Sequence, residues 1–291
     1  MDKFGDVGLT LDLLALPFVQ SALLAAAILG VVAGVIGPLI VRRQMAFAVH
    51  GTAELGFTGA AAALLLGVGV EDGAVAGAVI AALALGLLGT KADERDSVIG
   101  VVLSFGLGLG VLLLWFYEGR ASSKLGLLFG QVITVDSTNL AVYACSAVLV
   151  LGVLAVIYRP LLFASVDPVV AAARGVPVRV LTPLFAVLIG ITTALGVQTV
   201  GVLLVLALLV TPAAAACRVT SSPLLATVLS VVFAEVAVLG GIVLSLAPGA
   251  PISAFVTTLS FVIYLVCRAI AAARGRVSGR VAQPVSVPAG R

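Results

Sequence analysis

The sequence predicts an all-α fold, a polytopic transmembrane helical bundle of about nine spans, with the N-terminus outside and the C-terminus in the cytoplasm. Three observations lead there. The chain is 62% hydrophobic and 10% charged, where a soluble domain carries roughly a quarter charged residues. Its apolar residues gather into runs near the ~20 residues that a helix needs to cross the hydrocarbon core. Its Lys and Arg residues fall almost entirely on one side once those runs alternate across a membrane. The 32 glycines and the abundant alanine suit closely packed helices better than a β-barrel. A formal net charge of +3, on scattered residues, gives no footprint for nucleic acid.

Residues 1–12 carry Asp2, Asp6 and Asp12, unlike the basic start of a cleavable signal peptide, so the first apolar segment is expected to stay in the membrane. Spans are expected near 14–41, 45–68, 73–90, 97–117, 139–158, 178–196, 198–217, 223–246 and 253–273. The runs at 73–90 and 178–217 are the shortest and most crowded, which leaves eight or ten spans open. With nine, 13 of the 16 basic residues face the cytoplasm and only Lys3, Arg120 and Lys124 lie outside. The spans form one membrane domain, 1–273. The tail, 274–291, is Arg-, Gly- and Pro-containing, lacks apolar periodicity, and is expected to be a disordered basic cytoplasmic segment within reach of anionic lipid. Cys145, Cys217 and Cys267 sit in or beside apolar runs with no CxxC spacing, as small helix-packing residues do.

One cytoplasmic loop, 165–179, carries a complete set of helix punctuation. Asp167 can cap, Pro168 suits the first turn, Gly175 suits a left-handed stop, and Pro177 prevents continuation. A helix of about two turns is expected at 168–174, with Ala173 inside it and Arg174 complementing its C-terminal dipole. So short a helix is marginal alone. It either packs on its own bundle or docks on another protein.

Acids inside a span cost at least ~2.5–3.5 kcal/mol on insertion scales, so those present carry information. Glu54 and Glu235 lie well inside predicted spans, and the chain's only histidine, His50, is four residues before Glu54. That spacing puts both side chains on one helical face, ~8 and ~14 Å into the second span. An imidazole and a carboxylate one turn apart can share a divalent cation, or can form a structural His–Glu pair that satisfies both groups. Glu235 has no local partner. The stretch Gly190–Gly201, with Pro183 and Pro212 around it and Thr192, Thr193 and Gln198 inside it, is expected to be irregular backbone near the outer surface. With one histidine and neither GxSxG nor HExxH, the chain lacks the constellation of an intramembrane enzyme. An ATP-independent secondary transporter or channel would use the same apolar shell and the same His50–Glu54 pair.

Four blocks, in order, resemble one family. They are Arg42-Arg43-Gln-Met-Ala-Phe47, Leu128-Phe-Gly-Gln-Val-Ile133, Ala173-Arg-Gly-Val-Pro-Val178 and Gln198-Thr-Val-Gly-Val-Leu-Leu-Val-Leu-Ala-Leu-Leu-Val-Thr-Pro-Ala-Ala214. Over roughly 14–270 the chain resembles the ABC-3 family, the membrane subunits of bacterial zinc and manganese ABC importers. The resemblance implies a multi-pass permease of the bacterial plasma membrane, a homodimer or pseudo-dimer, working with cytoplasmic ABC ATPase subunits and an extracytoplasmic metal-binding protein. It makes the helix at 168–174 the ATPase-coupling element, through Asp167, Pro168, Ala173, Arg174 and Gly175. Where the family commonly reads Gly-Asp-x-x-x-His, this chain has His50 and Glu54, so the two ligand types have exchanged places. The metal expected on His50 and Glu54 is a transported ion, zinc by preference because of the histidine, with manganese or a metal chelate as the alternative; no permanently bound cofactor is expected. No lysine follows a glycine, so a GK[ST] phosphate loop is absent and ATP hydrolysis falls to a partner.

Overall fold

The computed structural model describes residues 7–88, 92–119, 137–200, 202–249 and 251–281, which form helices joined by short turns with no strand among them. A short α1 (Val7–Leu14) precedes α2 (Pro17–Arg42); the break falls at Leu16, whose extended backbone is what a following proline imposes. Then come α3 (Ala46–Leu66), α4 (Val70–Leu88), α5 (Ala92–Phe116), α6 (Ser137–Val166) and the short α7 (Pro168–Ala173). The chain continues through α8 (Val178–Val200), α9 (Val202–Val219), α10 (Pro223–Leu246) and α11 (Ile252–Val281).

Each expected apolar segment corresponds to a helix. Among the described residues seven are long and apolar enough to cross a membrane: α2, α3, Ile99–Phe116 of α5, Leu140–Val166 of α6, Val178–Val197 of α8, α10, and Ile252–Arg274 of α11. The apolar stretch Leu204–Val219 of α9 is shorter than that class. Three boundaries depart from expectation. Helix α6 continues past Arg159 and Pro160 to Val166, because Leu161 and Ala164 on its last turns are buried against the bundle. Helix α11 runs to Val281, eight residues into the segment expected to be disordered, since Ala271, Ala272 and Ala273 favour helix as it leaves the apolar stretch; residues 282–291 lie outside the described residues. And 190–200 is regular α8 rather than irregular backbone. There the Thr192 hydroxyl donates to the Leu188 carbonyl at 2.8 Å, so this polar side chain is satisfied within its own helix.

Helices α2, α3 and α8 are buried along most of their length, while α5, α6, α10 and α11 turn most of theirs outward. The outward face is apolar: Trp115 is 74% exposed and Val156 80%. Such a surface suits lipid and not water. With no hydrophobic drive between helices inside lipid, close approach has to come from small residues. Gly59 of α3 and Gly73 of α4 supply it, since a Cβ on either would run into the backbone carbonyl of the other. Helix α3 is thereby clamped on α4, with α5, α8 and α9 around it.

Candidate functional site

Helix α3 starts at Ala46, after its N-cap Met45, and three of its polar residues recur every fourth position: His50, Glu54 and Thr58 form a stripe on one face. Helix α5 passes over this stripe. A Cβ at Gly106 would lie 3.5 Å from Glu54 Cβ, and the Thr58 hydroxyl is 2.5 Å from the Gly106 carbonyl and 2.9 Å from that of Glu54. On another side, Thr52 donates to the Val49 carbonyl at 2.8 Å and lies 3.3 Å from the Thr193 hydroxyl of α8, both threonines being buried. These threonines were not singled out from the sequence as neighbours of the pair. The four-residue spacing of Thr58 from Glu54 was the available signal.

His50 and Glu54 do come together, but not as a hydrogen-bonded pair. His50 Nε2 and Glu54 Oε1 are 3.9 Å apart, beyond hydrogen-bond range. The other atom of each group, His50 Nδ1 and Glu54 Oε2, is buried without a hydrogen-bond partner. Buried polar atoms are normally satisfied, so the site holds unused ligating capacity. The Glu54 side chain is 8% exposed and that of His50 37%, so the imidazole is the open end. A cation held by both at about 2.1 Å in tetrahedral geometry needs them about 3.4 Å apart, which is a small side-chain adjustment. Among the described residues no three His, Cys, Asp or Glu side chains gather to hold a metal. One chain therefore brings two groups capable of ligation together and no third among the described residues. Glu235 lies on α10 with Oε1 buried and unpartnered.

The loop helix forms as its punctuation dictates. Asp167 caps α7, its Oδ1 accepting from the Val169 and Val170 N–H groups at 2.9 Å each, and Pro168 occupies the first turn. Arg174 is the cap residue, one position beyond the helix, and Gly175 takes φ +83°. There the N–H groups of Gly175 and Val176 close on the carbonyls of Ala172 and Ala171, both at 3.0 Å. Ala171 is fully buried against the bundle, whereas Pro168, Val169, Val170, Ala172, Ala173 and Arg174 are exposed. The helix is thus held by one face and offers the other. The block at 128–133 lies outside the described residues, as do Lys3, Lys91, Arg120 and Lys124.

Seven apolar helices among the described residues, with an outward apolar surface, define a multi-pass integral membrane protein. The chain belongs to the ABC-3 family: the model for the ABC 3 transport family matches residues 15–271. It is 34% identical over 253 residues to the manganese transport system membrane protein MntC of Halalkalibacterium halodurans, covering 85% of this chain and 87% of that one. It is 33% identical over 203 residues to the manganese import system permease protein ScaB of Streptococcus parasanguinis, covering 68% and 71%. Its structure resembles a chain of PsaBC from Streptococcus pneumoniae, solved in complex with Fab, with a TM-score of 0.80 and 26% identity over 89% of this chain and 94% of that one. The protein is accordingly an ABC-transporter permease of the bacterial plasma membrane.

Proposed function

We propose that this permease admits a divalent metal ion, and that the ion is manganese. The observation that carries the reading is the half-filled ligand pair: a buried, unpartnered His50 nitrogen and Glu54 oxygen, one turn apart, with the imidazole open. The carboxylate is a ligand type that suits manganese and the imidazole one that suits zinc, so the pair accepts either ion. The relatives named for manganese transport turn the preference away from the zinc that the histidine alone suggests.

Two copies of the chain facing each other would bring two His50 and two Glu54 to one path. Each contributes two ligands, which is enough to hold a partly dehydrated ion and too few per chain to trap it. The N-terminus is outside, the C-terminus is cytoplasmic, and nine helices span, with α4 and α9 completing the seven. An extracytoplasmic metal-binding protein delivers the ion. Cytoplasmic ABC ATPase subunits receive the exposed face of α7, where Asp167, Pro168, Ala173, Arg174 and Gly175 shape the docking element. ATP binding shifts that element and changes which side of the membrane the ligand pair faces.

The test is reconstitution of the permease with its ATPase and binding protein in liposomes, with uptake of manganese and zinc measured with and without ATP. ATP-dependent manganese uptake that zinc does not match is expected. Uptake independent of the ATPase would sink the ABC reading, and a clear preference for zinc would reverse the choice of ion.

A further inference from the structure

A second polar centre lies at the cytoplasmic end of the bundle, and the ion path does not use it. Arg43 sits between α2 and α3 as the C-cap of α2. One of its guanidinium nitrogens, Nη2, donates to the Thr182 hydroxyl at 3.1 Å, and the other, Nη1, reaches the Ser165 hydroxyl at 3.5 Å. The guanidinium carbon stands 5.7 Å from the centre of the Phe185 ring, which is fully buried. Both hydroxyls are prepared to accept. Ser165 gives its own proton to the Leu161 carbonyl at 2.6 Å and Thr182 gives its own to Val178 at 3.0 Å, so each turns lone pairs toward the cation. Ser165 is two residues before the cap of α7, and Thr182 is on the first turns of α8, so Arg43 grips both arms of the loop that carries α7.

The other side of Arg43 is a stiff joint. Gln44 takes φ 54°, a left-handed conformation that non-glycine residues rarely adopt. The Gln44 N–H donates to the Val41 carbonyl at 3.2 Å and the Met45 N–H to Ile40 at 2.9 Å, while Val49 begins α3 on the Met45 carbonyl at 3.2 Å. The end of α2 and the start of α3 are therefore locked with no slack residue. His50 follows Arg43 by seven residues of this chain.

We propose that Arg43 is a positioning residue that transmits displacement of the α7 loop to the ligand-bearing first turns of α3, and so couples the partner's ATP cycle to His50 and Glu54. This rests on the proposed manganese import through His50 and Glu54. A guanidinium suits the task because one rigid fork meets two acceptors while its face stacks on a ring; a lysine offers a single point. The neighbouring Arg42 points elsewhere, to the Ser221 carbonyl at 3.4 Å in the α9–α10 turn, and serves as a control of equal charge.

In the reconstituted complex, manganese transported per ATP hydrolysed is measured for Arg43→Met, Arg43→Lys and Arg42→Met. Arg43→Met is expected to keep hydrolysis while transport per ATP drops roughly tenfold, Arg43→Lys to recover part of it, and Arg42→Met to stay near the unmodified ratio. An unchanged ratio in Arg43→Met, or an equal loss in Arg42→Met, would overturn the assignment. If Arg43→Met fails to assemble, the double variant Ser165→Ala/Thr182→Val decides: it removes both acceptors and leaves the charge, and a normal ratio there overturns the proposal too. If the unmodified complex shows no ATP-dependent manganese uptake, the proposed manganese import fails first and this inference with it.

Discussion

At the scale of single residues, the proposed ion path rests on two side chains, His50 and Glu54, that are not hydrogen-bonded to each other. A separation of 3.9 Å between imidazole and carboxylate is too long for a hydrogen bond and close to what a shared cation requires. Glu54→Gln keeps the size and removes the charge; His50→Ala removes the nitrogen and leaves Glu54 buried. Each is expected to lower manganese uptake by about 100-fold or more, since loss of even an outer partner of a metal ligand costs about 10–100-fold in affinity or activity. The variants should still assemble with the ATPase and hydrolyse ATP. Normal uptake by both would remove the pair from the ion path. Thr58 belongs to the same stripe, but its hydroxyl is committed to the Glu54 and Gly106 carbonyls. Thr58→Val is therefore expected to loosen α3 against α5 and to weaken apparent manganese affinity more than the maximal rate, as a concentration series of uptake would reveal.

At the scale of elements, α7 shows how few residues specify a short helix and why it needs outside support. Its N-terminus rests on one side chain, Asp167, and its end on one glycine at φ +83°. Asp167→Ala removes two capping hydrogen bonds and should cost about 1 kcal/mol of helix stability. Ala172→Pro removes an intrahelical donor in the last turn and crowds the preceding one, a cost of about 3 kcal/mol in a helix interior. Ala172→Pro is expected to leave the ATPase running while transport per ATP collapses; intact coupling would count against α7 as the docking element. Helix α3 poses the opposite problem, confinement rather than support. Gly73→Leu would drive a side chain into the Gly59 carbonyl and Ala63, and it should yield little folded protein by detergent gel filtration. That distinguishes a packing glycine from the left-handed Gly175.

For the whole molecule, the ordering of charge is the governing fact. Basic residues gather at one end of the bundle, where Arg42 and Arg274 reach backbone carbonyls of Ser221 and Val219 at 3.4 and 3.3 Å. These contacts join the ends of α2, α9 and α11 on one side of the bundle. A single cysteine at Arg276, in a chain with Cys145, Cys217 and Cys267 replaced, should resist a membrane-impermeant thiol reagent in intact cells and react after permeabilisation. Labelling in intact cells would invert the topology and place α7 on the wrong face for an ATPase.

Much of this architecture was legible along the chain because lipid imposes its demands locally. A span must satisfy its own backbone and present apolar side chains over ~20 residues, so each helix announces itself without reference to its neighbours. The cap and stop of α7 are equally local, and so is the four-residue spacing that stacks His50 on Glu54. What tertiary structure alone decided are relations between distant positions. That the pair stands 3.9 Å apart with unpartnered atoms depends on α5 and α8 closing around α3. That Arg43 meets Ser165 and Thr182, 122 and 139 residues away, depends on three helix ends converging at one rim. The continuity of α8 through 190–200 belongs to the same class, because no local rule says whether its polar threonines will open the backbone or bond within it. Helices in lipid form singly and then pack; sequence periodicity governs the first event, and side-chain shape between remote segments governs the second.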